Sequence, residues 1–290
     1  MKVKFLLLIT IFTICSSFNY EETIQNQIAK SQNLNISFLL DLSDRINPRK
    51  YPSTNMQYYQ RDVEYINSIK RAFINHVKQK KIVQLKDQMQ VFFDPAPQNP
   101  LINKLSQQLK ISFDRNTSKE NIKKVDKIFS EVPLKIYQSA IKDNKYIGSD
   151  IWRFFKNRVQ DYCIKDSRRN ILVIITDGYM YHEDSKLIDK NKTSYLTPSL
   201  IKSKKLTTGN YKEIIDKGRL GFIPATTGLQ NLEILVLGIN PSKSNPYEGE
   251  VINQYWLDWF KAMGVKKAYL KFADLPADLD PVIQKIIIGK

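Results

Sequence analysis

The stretch Ile36-Ser37-Phe38-Leu39-Leu40-Asp41-Leu42-Ser43-Asp44-Arg45 decides the fold. A largely apolar run stops abruptly at a carboxylate, a hydroxyl and a second carboxylate. The run lacks the alternation of a half-exposed strand, which marks a strand covered by helices on both faces of a parallel sheet. Open α/β sheets bind their ligands beyond the carboxyl ends of such strands. Asp41 and Ser43 fall at such an end and, two residues apart, can both turn towards one small hard cation.

The same grammar recurs downstream. Ile171–Ile175 runs into Thr176-Asp177-Gly178, Met89–Phe93 closes at Asp94-Pro95, and Leu232–Gly238 closes at Asn240-Pro241. Shorter strands are expected at 110–113 and 268–272. Between the strands, Val63, Ile66, Ile69, Phe73 and Val77 make one apolar helix face, with Ser53, Thr54 and Asn55 as candidate N-caps. A helix is expected over 119–137 with an interruption at Pro133. Another is opened by Tyr146-Ile147-Gly148-Ser149-Asp150-Ile151, in which Ser149 is a good N-cap. Tyr255, Trp256, Trp259 and Phe260 recur at helical spacing and are read mainly as core. Pro281 is expected to open a terminal helix. Residues 179–230 are polar, basic and rich in turn residues, and too long for an ordinary connection; segments of that kind are usually functional or partly disordered. The alternation predicts one α/β domain over 34–290, a doubly wound, mostly parallel sheet with helices on both faces.

Met1-Lys2-Val3-Lys4, an uncharged run from Phe5 to Ile14, and Cys15-Ser16-Ser17 have the layout of a signal peptide over 1–17, followed by a linker over 18–33. The expected localisation is therefore periplasmic, cell-surface or secreted. Membrane association would come through lipidation of Cys15, against which Ile14 stands where a small residue is usual. Cys163 is then the one remaining cysteine, so no internal disulfide supports the fold. Its helical spacing after Trp152, Phe155 and Val159 makes it a small buried apolar residue. Two histidines are too few for a histidine-based zinc site or a triad.

A composition 42% hydrophobic and 26% charged excludes wholesale disorder. The formal net charge of +16 would suit an anionic partner. No helix is a continuous basic stripe, however, and no nucleic-acid motif appears, so the charge is read as solvated helix faces and no nucleic acid is expected. Asn-x-Ser/Thr triplets at Asn35, Asn116 and Asn191 leave the type of host open.

Three strand or loop ends thus carry oxygen side chains: Asp41 with Ser43, Ser149 with Asp150, and Asp177. Carboxylates and hydroxyls without His or Cys suit Mg²⁺ first, with Mn²⁺ or Ca²⁺ as alternatives, rather than zinc. The set resembles the von Willebrand factor A (VWA) domain family and its metal-ion-dependent adhesion site (MIDAS). The family pattern is Asp-x-Ser-x-Ser after the first strand, a Gly-Thr-Asp-like loop before a helix, and Thr-Asp-Gly after a later strand. Asp41-Leu42-Ser43 matches the first part, Gly148-Ser149-Asp150-Ile151 resembles the second, and Thr176-Asp177-Gly178 matches the third.

The resemblance spans roughly 34–290. It implies a divalent cation held directly by Asp41, Ser43 and Ser149, and by Asp177 directly or through water, with an acidic side chain of a partner protein completing the coordination. The departures are specific. Arg45 stands in place of the second serine, Asp44 either pairs with Arg45 or joins the metal shell, and Asp150 is a further candidate oxygen. The function expected is an extracytoplasmic protein-interaction module for adhesion or assembly, not an enzyme, with the basic insert from Tyr179 to Gln230 adding specificity. Two rivals stand beside it. One is a metal-dependent hydrolase of an anionic substrate, with Asp41 and Asp177 as ligands and His182 and Glu183 in acid–base roles. The other is a VWA-like scaffold whose Arg45 pairs with Asp41 or Asp177 and replaces the ion.

Overall fold

The computed structural model describes residues 32–289. The expected signal peptide at 1–17 and nearly all of the linker at 18–33 lie outside the described residues. In chain order the elements are β1 (Asn33–Leu40), α1 (Tyr58–Lys78), β2 (Gln88–Phe92), α2 (Pro100–Gln107), β3 (Lys110–Ser112) and α3 (Lys119–Asp143). Then follow α4 (Ile151–Asn157), α5 (Val159–Cys163), β4 (Arg168–Ile175), β5 (Ile188–Asp189), β6 (Lys192–Thr193), α6 (Pro198–Ser203), α7 (Tyr211–Gly218) and β7 (Gly221–Phe222). The chain closes with β8 (Leu232–Ile239), α8 (Glu248–Ala262), β9 (Lys267–Phe272) and α9 (Pro276–Ile288).

The main sheet has six strands in the order β3-β2-β1-β4-β8-β9, parallel except for the edge strand β3. The chain therefore steps outward from β1 in one direction and from β4 in the other. The reversal between β1 and β4 opens a crevice beyond their carboxyl ends, where doubly wound sheets bind ligands. This is the expected architecture.

The apolar runs of β1 and β4 are split residue by residue between two cores, as period-two strands require. Ile36, Phe38 and Leu40, with Ile171, Val173 and Ile175, pack under α1, α3 and α9. Leu39, Leu172 and Ile174 pack on the opposite face with α4, α5 and α8. The aromatic helix α8 is core, as read: Tyr255, Trp256, Trp259 and Phe260 are all buried. Cys163 is buried as well, and burial pushes its thiol up to about 12 despite a hydrogen bond with Ser37, leaving it inert at neutral pH.

Three local expectations are corrected. α1 starts after Gln57, whose amide donates to Gln60 Oε1 at 3.0 Å, and is not capped by Ser53, Thr54 or Asn55. α3 runs through Pro133 to a left-handed cap at Asn144. Pro133 removes one backbone donor, but Phe129, Val132, Ile136 and Tyr137 around it are buried in one core, and that packing outweighs the local cost. α9 starts at Pro276, with Pro281 inside it.

The largest correction concerns 179–230. The segment folds into a small sheet β5-β6-β7 and two helices. Met180, Leu196, Ile201, Leu206, Ile215 and Phe222 make it part of the second core. The indoles fasten it: Trp152 and Trp259 Nε1 both donate to the Ile223 carbonyl at 2.9 Å, and Trp256 Nε1 donates to the Gly178 carbonyl at 2.8 Å.

Candidate functional site

Asp41 is the first residue past β1, and its amide still donates to the Ile175 carbonyl at 3.1 Å, so β1 and β4 end level with each other. Its carboxylate is fixed on both oxygens. Oδ1 accepts the Ser43 amide at 2.8 Å, an Asx turn that holds Ser43 beside it, and Oδ2 accepts the Thr176 hydroxyl at 3.2 Å. Asp177 follows Thr176 directly, and its Oδ1 accepts the Tyr179 amide at 3.1 Å. Gly178 makes that turn with φ +93°, and a Cβ there would sit 2.9 Å from Ile252.

Leu42 and Gly148 form an isolated antiparallel bridge, which brings the loop before α4 alongside residues 41–43. Ser149 is thereby carried to the same edge. It was expected to cap α4, but Asp150 does so, accepting the Arg153 amide at 3.0 Å. Ser149 is released from that role, and its Oγ is buried without a hydrogen-bond partner. The loop ends thus place Asp41, Ser43, Ser149 and Asp177 along one edge of the sheet.

Arg45 lies behind this edge. Its guanidinium donates to Asp62 Oδ2 at 2.7 Å and to the carbonyls of Asp41 and Ile175 at 3.3 Å each, while Nε stands 3.4 Å from Asp41 Oδ2. Asp62, on α1, was not singled out from the sequence. The available signal was its position four residues before Ile66, inside the apolar stripe of α1. Gly238, at a bulge in β8 with φ +96°, gives these groups room: a Cβ would meet the Thr176 carbonyl at 3.0 Å and Asp62 Oδ1 at 3.8 Å.

Three carboxylates, Asp41, Asp62 and Asp177, thus share one buried guanidinium. Burial and then the charge of Asp41 push the Asp177 carboxyl up to about 7, against the pull of Arg45 and the Tyr179 amide. Burial also raises Asp62, ahead of the opposing attraction of Arg45. Burial alone would favour the neutral form of Arg45, but Asp62 and Asp41 together hold it protonated more firmly than usual.

The neighbouring candidates are engaged elsewhere. Asp44 pairs with Lys50 at 2.7 Å on the surface, not with Arg45. Asp150 accepts the Ser185 hydroxyl at 2.7 Å and faces His182 Nδ1 at 3.5 Å, tying α4 to the insert. Glu183 accepts the Tyr181 hydroxyl. Beside Asp177 opens a cavity of about 430 Å³, walled by Tyr51, Tyr58 and Tyr179, with Arg45 and Asp177 among its lining. Among the described residues no three His, Cys, Asp or Glu side chains converge as a metal-ligand group; the oxygens at this edge are two carboxylates and two hydroxyls. Nor, among the described residues, is any helix long and apolar enough to cross a membrane.

No protein-family model matches the sequence. No curated protein matches it either. Among solved structures, the pilus adhesin SpaC from Lactobacillus rhamnosus GG, in its open conformation, is similar over 89% of this chain at 10% identity, with a TM-score of 0.38. The chain spans 30% of that adhesin's length, and a likeness this distant carries no argument about function.

Proposed function

We propose that the chain is an exported protein-binding module of the VWA type, and that its ligand edge holds a divalent cation on Asp41, Ser43, Ser149 and Asp177. The observation that carries this reading is the buried Ser149 Oγ with no partner. An unpaired buried hydroxyl costs about 1–3 kcal/mol, and a small hard cation at this edge is a partner that would remove the cost. The ion pairs point the same way, since Arg45 pairs with Asp41 and Asp62 and, among the described residues, no cation pairs with Asp177. Oxygen donors without nitrogen or sulfur favour Mg²⁺. The group would supply open coordination positions at the edge, and the acidic side chain of a partner protein is the ligand that fits them. The cavity beside Asp177 receives the residues flanking that acid.

Arg45, which replaces a hydroxyl of the family pattern, is tied to Asp62 at 2.7 Å. The scaffold reading, in which Arg45 itself stands in for the ion, has the 3.4 Å contact with Asp41 in its favour. Calorimetric titration of Mg²⁺ and Mn²⁺ separates the two. Saturable binding is expected in the wild type and not in Asp177→Ala. Ser149→Ala removes an unpaired hydroxyl, so without metal it should be as stable as the wild type or up to about 1 kcal/mol more stable, yet gain less stability from Mg²⁺. A wild type that takes up neither ion retires the metal reading in favour of the scaffold.

A further inference from the structure

We propose that the end of the domain opposite the ligand edge is a docking surface for an anionic phospholipid membrane. The amino ends of the strands converge there, with Asn33 in register with Arg168 and Asn35 with Gln88. α1 ends and α3 begins at the same end, so lysines distant in sequence meet. The connection from α1 to β2 presents two aliphatic side chains outward: Val83 is 76% exposed and Ile82 44%. On one side of it, Val77, Ile82, Leu85 and Ile122 line a groove of about 320 Å³ rimmed by Lys78, Lys119 and Lys123. On the other, Val83 and Lys86 border a depression of about 570 Å³ with Asn33 and Arg168.

The charge at this end is one-sided. Lys78, Lys81, Lys86, Lys119 and Lys123 are exposed and Arg168 is half-buried, against three exposed acids, Asp114, Glu120 and Asp166. Asp87 contributes nothing outward, being buried against Lys80. Exposed aliphatics ringed by lysines match an interface whose headgroups are anionic and whose interior is apolar. A nucleic acid would meet no aromatic stacking platform here.

The point of chain entry agrees. The Gln32 carbonyl is hydrogen-bonded to His76 at 3.0 Å, so the chain enters the domain at this face. A domain lying with this end on the lipid would point the edge at Asp41 and Asp177 away from it. The inference is independent of the metal reading.

The test is co-sedimentation of the full chain with vesicles of phosphatidylcholine alone or mixed with phosphatidylglycerol, in EDTA. The wild type is expected on the mixed vesicles, with binding that weakens as salt rises. The triple variant K78E/K81E/K86E should lose about a hundredfold or more in partitioning, and Val83→Asp several-fold. Lys243→Glu, exposed at the other end, should bind as the wild type does. Equal partitioning of wild type and triple variant would overturn the proposal. So would equal binding to pure phosphatidylcholine, which assigns the effect to Phe5–Ile14 alone, or binding to a polyanion such as DNA without binding to vesicles.

Discussion

Arg45→Ala is expected to lower the unfolding free energy by about 3–5 kcal/mol, the cost of leaving buried charge without its partner. The guanidinium makes the 2.7 Å ion pair with Asp62 and caps the carbonyls of Asp41 and Ile175 at the ends of β1 and β4. Its removal leaves the buried carboxylates of Asp41 and Asp62 without their cation and takes a donor from each of two strand-end carbonyls. Arg45→Lys should rescue only in part: Nη2 alone makes the contacts to Asp62 and the two carbonyls, which an ammonium could share, but the Nε contact with Asp41 is lost. Asp62→Asn in the same chain should restore part of the loss, giving a favourable coupling in a double-mutant cycle. Urea denaturation of the wild type, the three single variants and the double variant reads these expectations. If the edge binds Mg²⁺ as proposed, the ion should stabilise Arg45→Ala more than the wild type, since three carboxylates then lack any fixed cation. A loss under about 1 kcal/mol would mean that Arg45 does not organise the edge.

The parts of this edge that were legible in the sequence are those written in contiguous residues. A doubly buried strand must be apolar throughout and must stop where its chain meets solvent or ligand, so Asp41 and Asp177 announced themselves. The doubly wound, mostly parallel sheet followed from the same pattern, while the order of its strands did not. What stayed hidden depends on residues far apart. Nothing local indicates that Arg45 would reach Asp62 on the next helix, or that Asp150 would take the cap and leave Ser149 free. The segment 179–230 hid its fold for another reason. Its strands are two residues long, too short to show a period, and its apolar side chains are spaced by turns rather than by helix or strand geometry. Its hydrophobic residues find their partners on α8, which only the tertiary fold supplies.

The basic end is hidden in the same way. No single helix carries a cationic stripe, so the +16 net charge looked diffuse. Folding brings the last turn of α1, the first turn of α3 and the amino end of β4 into one patch. The two ends of the sheet thus differ in kind. One gathers carboxylates around a single buried guanidinium, and the other holds surplus exposed lysine.

At that second end, Asp87→Ala should destabilise the fold by about 3–5 kcal/mol while leaving Mg²⁺ binding at the opposite edge unchanged. The Asp87 carboxylate is fully buried and accepts three groups: the Leu34 amide at 2.8 Å, Lys80 Nζ at 2.7 Å and His76 Nε2 at 3.3 Å. It therefore joins the start of β1 to the end of α1. Burial alone would raise its pKa, but the bonds from His76, Leu34 and Lys80 outweigh burial and hold it below the usual carboxylate range. A depressed folded-state pKa means that the stabilisation is complete above the unfolded value of about 3.9 and fades as pH falls through the lower, folded value. The gap between wild type and Asp87→Ala should accordingly be constant from neutral pH down to about 4 and narrow only below that. Lys80, whose side chain is 2% exposed, is left as a buried cation without its anion, so Lys80→Met in the same chain should recover much of the loss. Urea denaturation across the acid range tests both statements. A gap that stays the same down to the lowest pH at which the protein folds would show that packing around Asp87, and not its charge, joins β1 to α1.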